Sequence, residues 1–173
     1  MLMLSAVRPS DLEKVLALYE RSFPENERSP LEPMLEDKTG SAEILSVHRD
    51  QTFCGFVCIL KCDDLVHIIY FAVEETMRGQ GTGSSILHLV QQRYPDMRII
   101  VDIEQPKEYA ENNAQRIRRK AFYLRCGYQE NNFEYNWRET DYTVLSSGGG
   151  ITHEEFRMFW KHLIEIMPQA RIY

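Results

Sequence analysis

The stretch Arg78-Gly79-Gln80-Gly81-Thr82-Gly83-Ser84 carries the residue types of an anion site. Three glycines at alternate positions let a backbone come close to a ligand. The apolar run ahead of them, Leu65 to Val73, reads as a strand buried in mid-sheet, and Ser84 to Arg93 behind them suits a helix. A strand, a glycine turn and a helix start leave the first helix amides pointing outward with the positive end of the dipole behind them. Arg78 adds a fixed charge with a forked donor set suited to phosphate. Two familiar phosphate patterns are excluded. A nucleotide-hydrolase loop needs Gly-Lys followed by Ser or Thr, and no lysine follows these glycines. The dinucleotide fingerprint needs its last glycine where Ser84 or Ile86 stands. An Arg-x-x-Gly-x-Gly turn remains, and taken alone it serves either a tight reversal or a phosphorylated ligand.

Other elements must hold this loop in place. Leu4 to Val7 reads as a short strand. Ser10-x-x-Glu13 is a capping box ahead of a helix whose stripe is Leu12, Val15, Leu16, Tyr19 and Phe23. Pro24, Pro30 and Pro33 break the next segment. Glu43 to His48 and Phe53 to Lys61 read as strands joined by a turn at Arg49-Asp50-Gln51. Arg98 to Glu104 is another strand, with Asp102 and Glu104 on one face. Glu111 to Arg125 is helical, its apolar side assigned to Ala114, Ile117, Ala121 and Leu124, and Gly127 ends it. Tyr128 to Leu145 supplies one or two further strands, and Ser146 to Gly150 reads as a flexible linker. A second capping box, Thr152-x-x-Glu155, opens a helix with the stripe Phe156, Phe159, Trp160, Leu163, Ile164 and Met167, stopped by Pro168. The mixed order of strands and helices predicts an α/β or α+β fold of three layers around one sheet. Residues 1–173 read as a single domain, with 151–173 a C-terminal helical extension.

Charge and cysteine usage narrow the class. The formal net charge is −6, which disfavours general binding of nucleic acid, since that needs a positive field. No apolar run is long enough to span a bilayer, and the apolar start Met1-Leu2-Met3-Leu4 is too short for a signal peptide. The expectation is a cytoplasmic protein without membrane contact. Cys54, Cys58 and Cys62 fall four apart along one strand, sharing a face but too distant to bridge, with Cys126 far away. Without a C-x-x-C pair no metal site is expected, and the thiols read as small buried hydrophobes.

Two segments together resemble the GNAT superfamily of N-acetyltransferases. Tyr70-Phe71-Ala72-Val73 followed by Arg78-Gly79-Gln80-Gly81-Thr82-Gly83 is similar to that family's pyrophosphate signature, and Ala121-Phe122-Tyr123-Leu124-Arg125-Cys126-Gly127-Tyr128 to its helix-end motif. The resemblance covers roughly residues 1 to 145. It implies a mixed, mostly antiparallel central sheet with helices on both faces, and acetyl transfer from acetyl-coenzyme A to an amine of an unidentified acceptor. It implies that the main chain of Phe71, Ala72 and Val73 pairs with the pantetheine arm and that amides from Arg78 to Ser84 hold the pyrophosphate. Tyr123 would protonate the leaving thiolate, a phenol being a donor within reach of developing charge. The base that deprotonates the ammonium would be Glu104, at a strand end where the sheet splays, or else His67. The family's asparagine seven residues before the motif tyrosine is replaced by Arg116, within a basic run to Lys120 read as a solvated helix face. That departure keeps a second reading open, a non-catalytic acyl-coenzyme A sensor on the same fold. The tail from Ile151 to Tyr173 would shape the acceptor pocket or a homodimer contact.

Overall fold

The computed structural model describes residues 1–173. Seven strands form one sheet: β1 (Leu2–Ala6), β2 (Ala42–Arg49), β3 (Thr52–Cys62), β4 (Leu65–Val73), β5 (Arg98–Glu104), β6 (Gln129–Trp137) and β7 (Thr140–Ser147), in spatial order β1-β2-β3-β4-β5-β7-β6. Every neighbouring pair is antiparallel except β4 and β5, which run parallel. Five helices join them: α1 (Pro9–Ser22), α2 (Glu32–Leu35), α3 (Thr82–Arg93), α4 (Asn113–Arg125) and α5 (His153–Ile166). No helix is long and apolar enough to cross a membrane.

The central strands β2 to β5 are buried on both faces, so the sheet's apolar residues divide between two cores. One gathers Val15 and Leu18 of α1, Phe156, Phe159 and Leu163 of α5, and Phe56, Leu60 and Ile100 from the sheet. The other gathers Ile86, Leu87 and Val90 of α3 and Tyr123 of α4 against Val57, Ile68, Val101 and Ile103. This is the expected three-layer arrangement. α5 belongs to the first core, and residues such as Phe159 and Leu163, each at most 1% exposed, contribute on the order of 2 kcal/mol apiece by burial.

One local feature opens the sheet. β4 pairs with β5 only from Leu65↔Arg98 to Ile68↔Val101, and the β3–β4 register slips between Cys58 and Ile59. That bulge re-aims β4 after Ile68. From Tyr70 to Val73 the strand keeps its pairing with β3 on one edge, and from Ile69 on it has no strand partner on the other.

Four local expectations are corrected. Ser10 does not cap α1: the helix begins at Pro9, whose fixed φ and missing N–H suit the first position, with Arg8 ahead of it. Cys54 does not share a face with Cys58 and Cys62, because a bulge against Val47 and His48 turns it into the opposite core, although all three thiols are buried and free. Ser146 and Ser147 end β7, leaving only Gly148 to Gly150 as the turn. On α4, Ile117 and Leu124 are the exposed residues, while Arg116 and Tyr123 face inward. The Thr152–Glu155 capping box forms as expected, with Glu155 N donating to Thr152 Oγ1 (3.2 Å) and Thr152 N to Glu155 Oε2 (2.8 Å).

Candidate active site

The glycine loop leaves β4 through a short 3₁₀ turn, Glu75–Met77, and enters α3 at Gly81. Gly79 and Gly81 adopt φ of +73° and +74°, the left-handed region where a side chain is strained. A Cβ at either would meet nothing within 4 Å, so the loop faces open space. No acceptor in the chain takes the amide hydrogens of Gly79, Gln80, Gly81, Thr82, Gly83 or Ser84; the first bond of the turn runs from Ser85 N to Gly81 O (3.0 Å). Six consecutive amides at a helix start therefore offer their hydrogens to an anion. Gly83 serves packing instead, since a Cβ there would lie 3.2 Å from the Phe122 ring. Arg78 is exposed and donates from Nε to Val73 O (3.0 Å). Arg49, which no sequence motif marks, reaches the same loop by donating to Thr82 Oγ1 (3.3 Å).

The second motif is a helix terminator. Tyr128 N bonds to Tyr123 O and Gly127 N to Leu124 O, both at 3.1 Å, with Gly127 at φ +86° and the Tyr123 and Tyr128 rings 5.4 Å apart. That is a complete Schellman closure with its apolar contact. It fixes Tyr123 at the end of α4, buried beside Phe122, which stacks on Phe71 of β4 (6.5 Å). Burial pushes the Tyr123 hydroxyl up; Arg119 opposes this and the Asp102 carboxylate adds to it, so the phenol keeps its proton.

Where β4 and β5 part, a cavity of about 100 Å³ opens on the α1 and α5 side of the sheet. His67, Asp102 and Glu104 all line it. His67 Nε2 lies 3.1 Å from Asp102 Oδ1, and Tyr135 donates its hydroxyl to Asp102 Oδ2. Burial pushes the Asp102 carboxyl up, but the His67 ring and the Tyr135 hydroxyl outweigh it and hold the group below the usual carboxylate range. Asp102 was noted in the sequence only for sharing a face with Glu104; that shared face was the available signal.

Glu104 is differently placed. Arg116 Nη2 donates to its Oε1 (2.8 Å), Asn112 Nδ2 to Oε2 (3.3 Å), and Arg119 Nη1 stands 3.5 Å away. Arg116 also donates to Gln105 O and Asn112 Oδ1. The basic run is thus solvated only in part: Arg118 is exposed, whereas the Arg116 side chain is 14% exposed and buttresses the strand end. Helical spacing puts Arg116, Arg119 and Tyr123 on one side, and only the buried partner Glu104 makes that side the inner one. Away from the cleft, Cys62, Asp63 and His162 bring potential ligand atoms within 4.8 Å of one another at the β3–β4 turn, a grouping the cysteine spacing did not signal.

A row of free amides, an open strand edge and an imidazole–carboxylate pair thus lie in one splayed sheet. A family model described as an acetyltransferase (GNAT) domain matches residues 40–130, more than half of the chain, and the chain belongs to that family of acyltransferases. Among solved structures, it is similar to a GNAT-family protein from Bacteroides thetaiotaomicron (TM-score 0.77, 19% identity, 97% of this chain and 98% of that one). It is also similar to the ribosomal-protein-S18-alanine N-acetyltransferase from Escherichia coli (TM-score 0.61, 15% identity, 89% and 97%). An acetyltransferase from Bacillus subtilis in complex with CoA gives 0.56 at 16% identity, over 84% and 96%. No curated protein matches in sequence.

Proposed function

We propose that the chain moves an acetyl group from acetyl-coenzyme A to a primary amine by direct attack on the thioester. The observation that carries this reading is the unbroken row of six uncommitted amides from Gly79 to Ser84, which suits a pyrophosphate. The free edge of Ile69 to Val73 suits the pantetheine arm, which Phe71, Ala72 and Val73 would bond as a strand does its neighbour. Arg78 and Arg49 add positive charge at the loop.

In the reaction the amine nitrogen attacks the thioester carbonyl, a C–N bond forms and the C–S bond breaks. The ammonium must first lose a proton, and the His67–Asp102 pair takes it, an imidazolium forming against a carboxylate. Glu104 has its oxygens committed to Arg116, Asn112 and Arg119, which puts His67 ahead of it as the base. Tyr123, held protonated, supplies the proton for the departing thiolate.

Calorimetry with acetyl-coenzyme A tests the donor half. Binding in the micromolar range is expected, weakened about threefold to tenfold in Arg78→Ala, since an exposed charge contributes on the order of 1 kcal/mol. No heat at millimolar ligand would sink the reading.

A further inference from the structure

Three carboxylates converge on the small cleft, and one of them is unpaired. Asp102 answers to His67 and Tyr135, and Glu104 to Arg116 and Arg119. Glu27, from the turn after α1, lines the same cavity with no ion-pair or hydrogen-bond partner for its carboxylate. Burial pushes that carboxyl up, and the Glu104 charge adds to the shift against Arg119 and Arg116. All three carboxylates line one cavity with Tyr142, whose hydroxyl is raised by burial and then by their charges.

The backbone beneath Glu27 is clamped. Tyr70 donates its hydroxyl to Glu27 O (3.1 Å), and Ser29 N donates to that same hydroxyl oxygen (3.0 Å). Arg138, at the β6–β7 turn, donates to Asn26 O (2.9 Å) and Arg28 O (3.1 Å), and Ser29 Oγ donates to Ile172 O (2.7 Å). The clamp fixes the loop backbone, so the half-buried carboxylate stays at the cavity wall. A partly buried, unpaired charge on a fixed loop is a standing cost that a bound cation removes.

The remaining walls are aromatic. Trp137, Tyr142 and Trp160 present rings to the cavity, and ring faces attract cations, as the Arg138 guanidinium already shows by stacking 4.0 Å over Trp137. Against three carboxylates on the lining stands one guanidinium, Arg119, itself 3.5 Å from Glu104, so an anionic substituent would meet a net negative wall. A volume of about 100 Å³ suits a short stem.

Resting on the acetyl-transfer reading, we propose that the acceptor is a short cationic amine without carboxylate or phosphate. Glu27 draws in the ammonium, and the stem lies against Trp137 and Trp160.

Both tryptophans of the chain line the cleft, so amine binding is readable by intrinsic fluorescence without acetyl-coenzyme A. Butylamine, putrescine and γ-aminobutyrate share one stem and differ at the far end. Butylamine and putrescine should shift the emission at concentrations at least about tenfold below γ-aminobutyrate, because a buried like-charge contact disfavours the latter. Glu27→Gln should weaken butylamine by about tenfold and narrow its lead over γ-aminobutyrate, while Glu27→Asp keeps the preference. Equal binding of butylamine and γ-aminobutyrate, unchanged binding in Glu27→Gln, or no binding of any of the three would overturn the proposal. Thiol release from acetyl-coenzyme A separates the two claims. Selective amine binding without thiol release ends the acetyl-transfer reading and leaves the cleft's selectivity standing. Equal kcat/KM for butylamine and γ-aminobutyrate keeps acetyl transfer and ends the selectivity.

Discussion

The two halves of the proposed site, donor and acceptor, are built from different materials. The donor side is backbone: six free amides, two glycines in the left-handed region and an unpaired strand edge. The acceptor side is side chain: carboxylates from a loop and from β5, an imidazole from β4, and rings from β6, β7 and α5. A backbone site demands particular residues at particular places, because only glycine is relaxed at those φ values. A side-chain site accepts many residue types at each wall position. One half should therefore fail when its backbone is constrained, the other when single functional groups are changed.

The largest expected effect lies on the acceptor side. Asp102→Asn keeps the size of the side chain and leaves His67 without a charged partner. Turnover, read by thiol release with butylamine as acceptor, should fall by about 10²–10⁴-fold at unchanged affinity for acetyl-coenzyme A. A matching loss of coenzyme affinity would instead place Asp102 in the donor half. Tyr123→Phe comes next: about 10–100-fold in turnover, again with coenzyme binding intact. Because Tyr123 also closes α4, thermal unfolding of the variant should be compared. Lost turnover together with lost Tm would assign the residue to the Tyr123–Tyr128 closure rather than to the chemistry.

The same contrast explains what was legible in the sequence. Gly79, Gly81 and Gly127 are readable because their conformations all but exclude other residues, so the glycine turn and the end of α4 follow from the sequence. Strand positions were readable from apolar runs, and the three-layer order followed. The His67–Asp102 pair was not readable. It depends on the parallel register that sets His67 opposite Ile100 and so brings Asp102 within reach, and nothing local encodes that. Arg116 and Arg119 misled for a related reason: a basic run normally faces water, and only the distant carboxylate of Glu104 turns it inward. Cys54 changed face because a bulge inserted one residue, a shift that a strict alternation of two cannot anticipate.

On the donor side the expected ranking is inverted. Gly81→Val forces a β-branched residue into the left-handed region at a cost of about 1–2 kcal/mol. Relieving that strain re-aims the amides of Thr82 and Gly83. Acetyl-coenzyme A should bind about tenfold or more weakly by calorimetry, a larger loss than Arg78→Ala produces. If removing the arginine costs more than constraining the glycine, the site is held by charge, and the proposed division between the halves fails.

The smallest effect is thermodynamic and belongs to Glu27. Its carboxyl is raised by burial and by Glu104, with Arg119 and Arg116 in opposition and Tyr142 close by. A raised carboxyl binds its proton more tightly folded than unfolded, so it favours the folded state below the ordinary glutamate range. That contribution is lost as pH climbs through the folded value. Near neutrality Glu27 therefore destabilises the fold, and Glu27→Gln should raise Tm by about 1–3 °C there. The gain should vanish towards pH 4, where the native carboxyl is already protonated. A Tm that instead drops at neutral pH would show that Glu27 is satisfied within the fold, and the cleft would lose its claim to an unmet need for a cation.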